Sequence, residues 1–301
     1  MRLRYHLEYA GARLLVFLAG RLSPRQGAWL GKRLGDAAFA VLSRRRELAQ
    51  THLARVFGED PAQDTPEALT RSVFHQLGCT AVEHARLMGS GLTDLGSRVQ
   101  FSGTEHVAEA LQQGNGAILV TGHFGYWELL GASVASLGFP IAVVAKDQHN
   151  PAVNRMITLW RERMGMRVIP MASATHQILR TLRKNGVVGF LVDQDAGPGG
   201  TFVTFLGLPA ATYQGPALFA LRVRAPIIPC FIVREGVEQH RVIFEPPVYV
   251  LPTGDEAADI QRYTQLYTSV LERYVRAWPD HWFWVHRRWK TKATKNEAVP
   301  Q

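Results

Sequence analysis

A histidine followed five residues later by a glutamate, His123 and Glu128, stands in the run AILVTGHFGYWELLG, residues 117–131. An imidazole can take a proton from an attacking hydroxyl, and a carboxylate beside it can stabilise the imidazolium that forms. Residues 117–121 are a short apolar run of strand character, Gly122 breaks it, and Glu128 opens a helical run. Two residues five apart within one helix point about 140° apart, at 3.6 residues per turn, and share no face. His123 is therefore expected on the turn before the helix, with Glu128 reaching back to it. A helix start leaves backbone N–H groups unpaired, so those near Phe124 and Gly125 are candidate oxyanion donors.

Context carries this reading, because spacing alone does not. With 11 histidines and 25 acidic residues in 301 positions, about one His-x4-acid match is expected by chance. A second match does occur, His240 to Glu245, within HRVIFEPP. That stretch alternates like a strand and stops at two prolines, with no turn or helix start, so it reads as structural.

The elements that must position the pair follow from the rhythm of the chain. Strands are expected at 99–101, 117–121, 141–145, 167–169, 187–192, 227–233 and 241–244. Helices are expected at 104–113, 126–137, 151–165, 173–184, 214–223 and 255–277, alternating with the strands as in an α/β sheet flanked by helices. Upstream lie helical runs at 46–57 and from a Thr65-Pro66-Glu67 start to about 88, separated by a polar break at 59–64. His75 and His84 on that second helix read as packing or surface residues. The chain divides into a helical segment, 1–45, and an α/β domain, 46–301.

Sites in open α/β sheets gather beyond the carboxyl ends of the strands. One such end is His123; the other is Asp193-Gln194-Asp195, after the strand at 187–192 and before the Gly- and Thr-rich AGPGGTFVTFLGLPAATY, which reads as a long loop. Asp-x-Asp can hold a divalent cation, but no third ligand or phosphate loop accompanies it, and a carboxylate pair that orders backbone or binds arginine ranks first. No metal is expected. The C-terminal WPDHWFWVHRRWK interleaves tryptophans with cations, which suits a membrane interface, nucleotide stacking, or an aromatic plug with some use of Arg287 or Arg288.

At 47% hydrophobic and 20% charged residues the chain is globular, and its net charge of +9 calls for an anionic partner. Cys79 and Cys230 lie in apolar surroundings and read as buried thiols of a reducing compartment. The uncharged N-terminal run at 14–20 is far shorter than the roughly 20 residues of a spanning helix. Its apolar faces edged with Arg and Lys suit binding in the plane of an anionic leaflet.

Five stretches, in order, give the chain a likeness: FSGTEHV, GAILVTGHFGYWE, NPAVNRMITLWRERMG, LVDQDAGPGGTFVTFLGLPAAT and WFWVHRRWK. Together, over residues 13–290, the chain resembles the late (secondary) acyltransferases of lipid A biosynthesis, the lauroyl/myristoyl acyltransferase family. The resemblance implies a glycerolipid-acyltransferase-like mixed α/β sheet flanked by helices. It places the N-terminal segment on the cytoplasmic face of the inner membrane, peripheral or single-pass. It implies acyl transfer from acyl carrier protein, or from acyl-CoA in relatives that modify mannosylated phosphatidylinositol, to a hydroxyl of a lipid A precursor or another glycolipid. Carried over by motif, His123 is the base and Glu128 its partner, while Arg161, Asp193, Arg287 and Arg288 fall near the substrates. The family often has Asn where this chain has Tyr126, between base and acid.

The residues support that chemistry on their own terms. No Ser or Cys sits in a G-x-S-x-G elbow, so direct transfer is favoured over an acyl-enzyme. The reaction needs no cofactor. Carrier protein, lipid phosphates and the inner leaflet are all anionic. Two other classes remain on this reading: a non-enzymatic basic membrane-binding protein, and a nucleic-acid binder, for which no helix-turn-helix, zinc or RNA-binding signature is present.

Overall fold

The computed structural model describes residues 3–58, 64–90 and 95–293; the expected polar break at 59–64 lies, except for its last residue, outside them. Four helices come first: α1 (Leu3–Ala19), α2 (Pro24–Val41), α3 (Ser43–Phe57) and α4 (Pro66–Ser90). Strands and helices then alternate as β1 (Val99–Ser102), α5 (Thr104–Gln112), β2 (Ala117–Thr121), α6 (Trp127–Ser136), β3 (Ile141–Ala145), α7 (Pro151–Arg163), β4 (Arg167–Pro170), α8 (Ala174–Arg183) and β5 (Val187–Leu191). After the hairpin β6 (Thr201–Phe205) and β7 (Leu208–Thr212) come α9 (Gly215–Val223), β8 (Ile227–Gly236), β9 (Gln239–Phe244) and α10 (Glu256–Ala277).

Seven strands form one mixed sheet in the order β1-β9-β8-β2-β5-β3-β4. β8, β2, β5, β3 and β4 run parallel, and β9 turns back antiparallel to β8 with β1 parallel to it. The central strand β2 is buried along its whole length, as a strand covered on both faces requires. Its two faces serve different cores: Leu119 packs with α6, while Ile118 and Val120 pack with α8 and α9. Helix α6 therefore lies on the face to which odd-numbered β2 residues point, and the residues that leave β2 and β5 enter the site from that side.

The elements expected from the sequence are present, with ends shifted by a few residues. One stretch differs. The Gly- and Thr-rich segment read as a loop contains the hairpin β6–β7, in which Phe205 pairs with Leu208 across Leu206 and Gly207. Both turn residues have positive φ, 53° and 76°, as a tight two-residue hairpin turn demands.

α2 lies along α4 at very short range. A Cβ on Gly31 would stand 2.6 Å from the Cα of Cys79, and one on Gly78 would stand 2.1 Å from the Gly31 carbonyl oxygen. The N-terminal helices thus join the domain by glycine-lined backbone contact. Among the described residues no helix is long and apolar enough to cross a membrane. α1 instead leaves Leu3, Leu7, Leu14, Leu15, Phe17 and Leu18 exposed, and α2 adds Trp29 and Val41.

Candidate active site

The site forms where β2 and β5 end side by side. Their parallel register pairs Ala117 with Val187 and Thr121 with Leu191, an offset of 70 residues. Two residues beyond each end stand His123 and Asp193, so the register alone brings them face to face. The Asp193 carboxylate accepts from the His123 backbone N–H through Oδ2 and meets His123 Nδ1 through Oδ1, both at 2.8 Å. Trp282 Nε1–H donates to Oδ2 at 2.8 Å. Asp193 is buried, yet these partners, with the His123 imidazole foremost, hold its carboxyl below the usual range against the opposing push of burial. An ionised carboxylate only accepts, so Nδ1 of His123 carries a proton and, in the neutral ring, Nε2 carries the lone pair. Burial pulls the imidazole towards the neutral form, but Asp193 outweighs it and raises its pKa, with a smaller push from Glu128.

Glu128 does not reach back to His123. It sits in the first turn of α6 and faces α7, where Arg161 holds it with two bonds, Nε to Oε2 at 2.9 Å and the terminal nitrogen to Oε1 at 2.5 Å. Burial pushes the Glu128 carboxyl up, but Arg161 wins and leaves it lowered. The expected orienting carboxylate is thus replaced by Asp193, and Arg161, expected at the substrate, pairs with Glu128. Both still stand at the site, because they line a pocket of about 560 Å³, open mouth included. The pocket runs between α6 and the ends of β2, β3 and β5, past Leu119, Thr121, Leu130, Val134, Val143 and Gly189. It is largely apolar. Within it the Thr121 hydroxyl is buried with no hydrogen-bond partner.

The other expected residues fall as follows. Gly125 has φ of 57°, and a Cβ there would meet the Ile232 carbonyl oxygen at 2.1 Å, so only glycine fits the turn. Its N–H donates to the His281 carbonyl at 2.8 Å and is not open to an oxyanion, which corrects that assignment. Phe124 is buried, bridged by its backbone to Trp282 and by its ring to Phe231 and Tyr274. Tyr126 turns to α4, its hydroxyl 2.9 Å from His84 Nδ1. Arg287 is exposed. Arg288 is almost wholly buried, its guanidinium donating to the Ala211 carbonyl, to Thr212 Oγ1 and, at 3.5 Å, to the Gln194 carbonyl, so that it ties the C-terminal segment to β7 and to the Gln194 turn. Asp195 accepts from the N–H and the hydroxyl of Thr291. His240 bonds Glu83 in the interior, in keeping with its structural reading.

Three residues at the site were given no individual role from the sequence. Trp127 and Phe283 flank the His123 ring, at centroid distances of 5.1 and 6.0 Å, and Gln194 places its side-chain amide 3.4 Å from His123 Nε2. Gln194 adjoins a strand end, and that position was its one available signal.

Comparison with known proteins adds the lineage. Residues 1–291 match the family model of the bacterial lipid A biosynthesis acyltransferases. The chain is 25% identical over 299 residues to the lipid A biosynthesis palmitoleoyltransferase of Escherichia coli, covering 98% of this chain and 95% of that one. It is 26% identical over 275 residues to the E. coli lipid A biosynthesis lauroyltransferase, covering 90% and 86%. It is 24% identical over 260 residues to a phosphatidylinositol mannoside acyltransferase of Mycolicibacterium smegmatis, covering 84% and 82%. The chain belongs to the bacterial lipid A biosynthesis acyltransferase family and is an acyltransferase.

The Glu128–Arg161 pair predicts a stability effect. Arg161→Met strands a largely buried carboxylate and is expected to cost about 3 kcal/mol at neutral pH, the low end for a broken buried pair. Without Arg161, burial raises the Glu128 pKa above its unfolded value, so the deficit should shrink as pH falls towards about 4.3. The double variant Arg161→Met/Glu128→Gln should recover most of the loss, as read by urea unfolding. A single variant as stable as the wild type at pH 7 would contradict the pairing.

Proposed function

We propose that this member of the lipid A acyltransferase family moves a fatty acyl chain from the thioester of acyl carrier protein to a hydroxyl of a lipid A precursor, with His123 as general base. The observation that carries the reading is a histidine whose Nδ1–H is held by a buried, ionised carboxylate and whose ring packs on Trp127, a residue that lines an apolar pocket. A fixed tautomer leaves Nε2 to take the acceptor's proton as its oxygen attacks the thioester carbonyl. Asp193 stabilises the imidazolium, which returns the proton to the departing thiolate.

The acyl chain enters the pocket between α6 and the sheet, whose walls are mostly apolar. Glu128 and Arg161 stand where the chain's reactive end enters. Glu128 acts on the base through its charge, and its ion pair fixes α6 against α7 at that mouth. The net charge of +9 favours encounter with an acidic carrier protein and with phosphorylated lipid. A glycolipid acceptor outside lipid A, with acyl-CoA as donor, is the second reading, supported by the likeness to a phosphatidylinositol mannoside acyltransferase.

The enzyme works from the cytoplasmic face of the inner membrane, held by α1 and α2. Their exposed leucines and tryptophan form an apolar face, and Arg21 over Phe17 and Arg33 over Trp29 place cations where phosphates would lie.

Purified protein in detergent, offered carrier-protein and coenzyme A donors of several lengths with a lipid A precursor or a mannosylated phospholipid, tests the reaction. Product is expected on the lipid A precursor, with His123→Ala slowed at least 10²–10⁴-fold, the range for a lost general base. Undiminished turnover in that variant would refute the assignment. Product on the mannosylated lipid alone would move the acceptor class and keep the chemistry.

Membrane attachment has its own test. Each buried leucine is worth about 1.5–3 kcal/mol, so Leu14→Glu/Leu18→Glu should weaken binding to anionic vesicles by at least about 100-fold. Unchanged vesicle sedimentation would show that α1 is not the contact.

A further inference from the structure

We propose that Gln194 is a catalytic residue, donating its side-chain N–H to the oxyanion that forms when the acceptor hydroxyl attacks the thioester. The proposal rests on the reading of His123 as the general base. It supplies a donor in place of one the structure removes, since the Gly125 N–H expected to serve an oxyanion is bonded to the His281 carbonyl.

The orientation of the amide follows from the hydrogen-bond chain. Asp193 fixes the proton on Nδ1 of His123, so Nε2 of the neutral ring is an acceptor, and the Gln194 atom facing it at 3.4 Å must be the NH₂. That contact is long for a hydrogen bond and readily exchanged. When an acceptor hydroxyl takes its place on Nε2, the amide loses its partner within a few ångströms of the carbonyl under attack. The developing negative charge on the carbonyl oxygen then offers a stronger acceptor than the imidazole did.

The residue is also held still, as electrostatic stabilisation of a transition state requires. Its neighbours on both sides are anchored: Asp193 by His123 and Trp282, and Asp195 by Thr291, with its N–H given to His286 Nε2. The Gln194 carbonyl itself faces the buried Arg288 guanidinium. A turn fixed at three consecutive residues thus presents the Gln194 amide to His123 from a rigid backbone.

The chemical step balances. The acceptor oxygen bonds to the carbonyl carbon and gives its proton to His123 Nε2, while the carbonyl π pair moves to oxygen, where Gln194 N–H donates. The oxyanion collapses, the carbon–sulfur bond breaks, and the thiolate takes the proton back from Nε2. Gln194 returns to His123 as the product ester leaves.

The test is steady-state kinetics of Gln194→Ala and Gln194→Glu beside His123→Ala, with an acyl-carrier-protein donor and the acceptor that the wild type uses. Gln194→Ala is expected to lower kcat about 10²–10³-fold, the cost of one lost oxyanion donor, with KM for either substrate within about threefold. Gln194→Glu, nearly the same shape, should lose at least as much. Its carboxylate beside Nε2 should also favour the imidazolium and move the acidic limb of the kcat profile to higher pH. If Gln194→Ala fails to fold by circular dichroism, the kcat loss and pH shift of Gln194→Glu decide the matter. A Gln194→Ala kcat within threefold of wild type, or a loss confined to the acceptor's KM, would overturn the proposal while the base assignment stands. Undiminished turnover in His123→Ala would overturn both.

Discussion

The parallel register of β2 against β5 is the constraint on which the rest of the site depends. It sets residue n opposite residue n + 70 through five consecutive pairs, and it carries two residues past the strand ends to His123 and Asp193. A buried carboxylate is costly unless its lone pairs are filled, and here they are filled by the groups that the register delivers. Gly122 keeps the two loops close, since a Cβ there would stand 3.1 Å from Asp193 Cγ. A slip of one residue would turn every β2 side chain to the opposite face of the sheet and dismantle the His123–Asp193 pair and the pocket wall together. The His123–Asp193 pairing is thus a consequence of sheet geometry more than of any local motif.

The C-terminal aromatic segment completes what the sheet begins. Trp282 donates to Asp193, the Phe283 N–H donates to the His123 carbonyl, and the His281 carbonyl takes the Gly125 N–H. These bonds strap the His123 turn from outside while Trp282 and Trp284 close the core beneath. Arg288 crosses from the same segment to the hairpin β7 and to the Gln194 carbonyl. Burial pulls its pKa down to about 10, still far above neutrality, so it remains a cation near Asp193 and Asp195. The tryptophans and arginine that suggested nucleotide stacking or a membrane belt are, in the folded chain, the frame of the candidate site.

Much of the fold was legible because each parallel strand is a short apolar run bounded by turn residues. The hairpin β6–β7 was not, because its glycines and threonines read as loop; the β-branched and aromatic run Thr201–Phe205 was the usable signal. For the site, His123 stood out through its strand–turn–helix setting. Its partner did not, because sequence nearness favours Glu128, whereas Asp193 becomes a neighbour only once β2 and β5 are known to pair. Nothing local to Glu128 shows that Arg161, a helix and a strand away, competes for it. Burial likewise separates Arg288 from the adjacent exposed Arg287, a difference that charge and spacing do not encode.

The central claim is that Asp193, across the sheet register, and not Glu128, next door in sequence, sets the tautomer and basicity of His123. The most direct measurement is the pH dependence of kcat/KM for wild type, Asp193→Asn and Glu128→Gln. Base catalysis needs the neutral ring, so activity should rise with pH through the His123 pKa, which Asp193 raises. Asp193→Asn should move that limb to lower pH, because burial then acts unopposed, and should cut the rate by up to about 10⁴-fold through loss of the correct tautomer. Glu128→Gln should move it far less. A limb that shifts with Glu128→Gln and stays in place with Asp193→Asn would contradict the account.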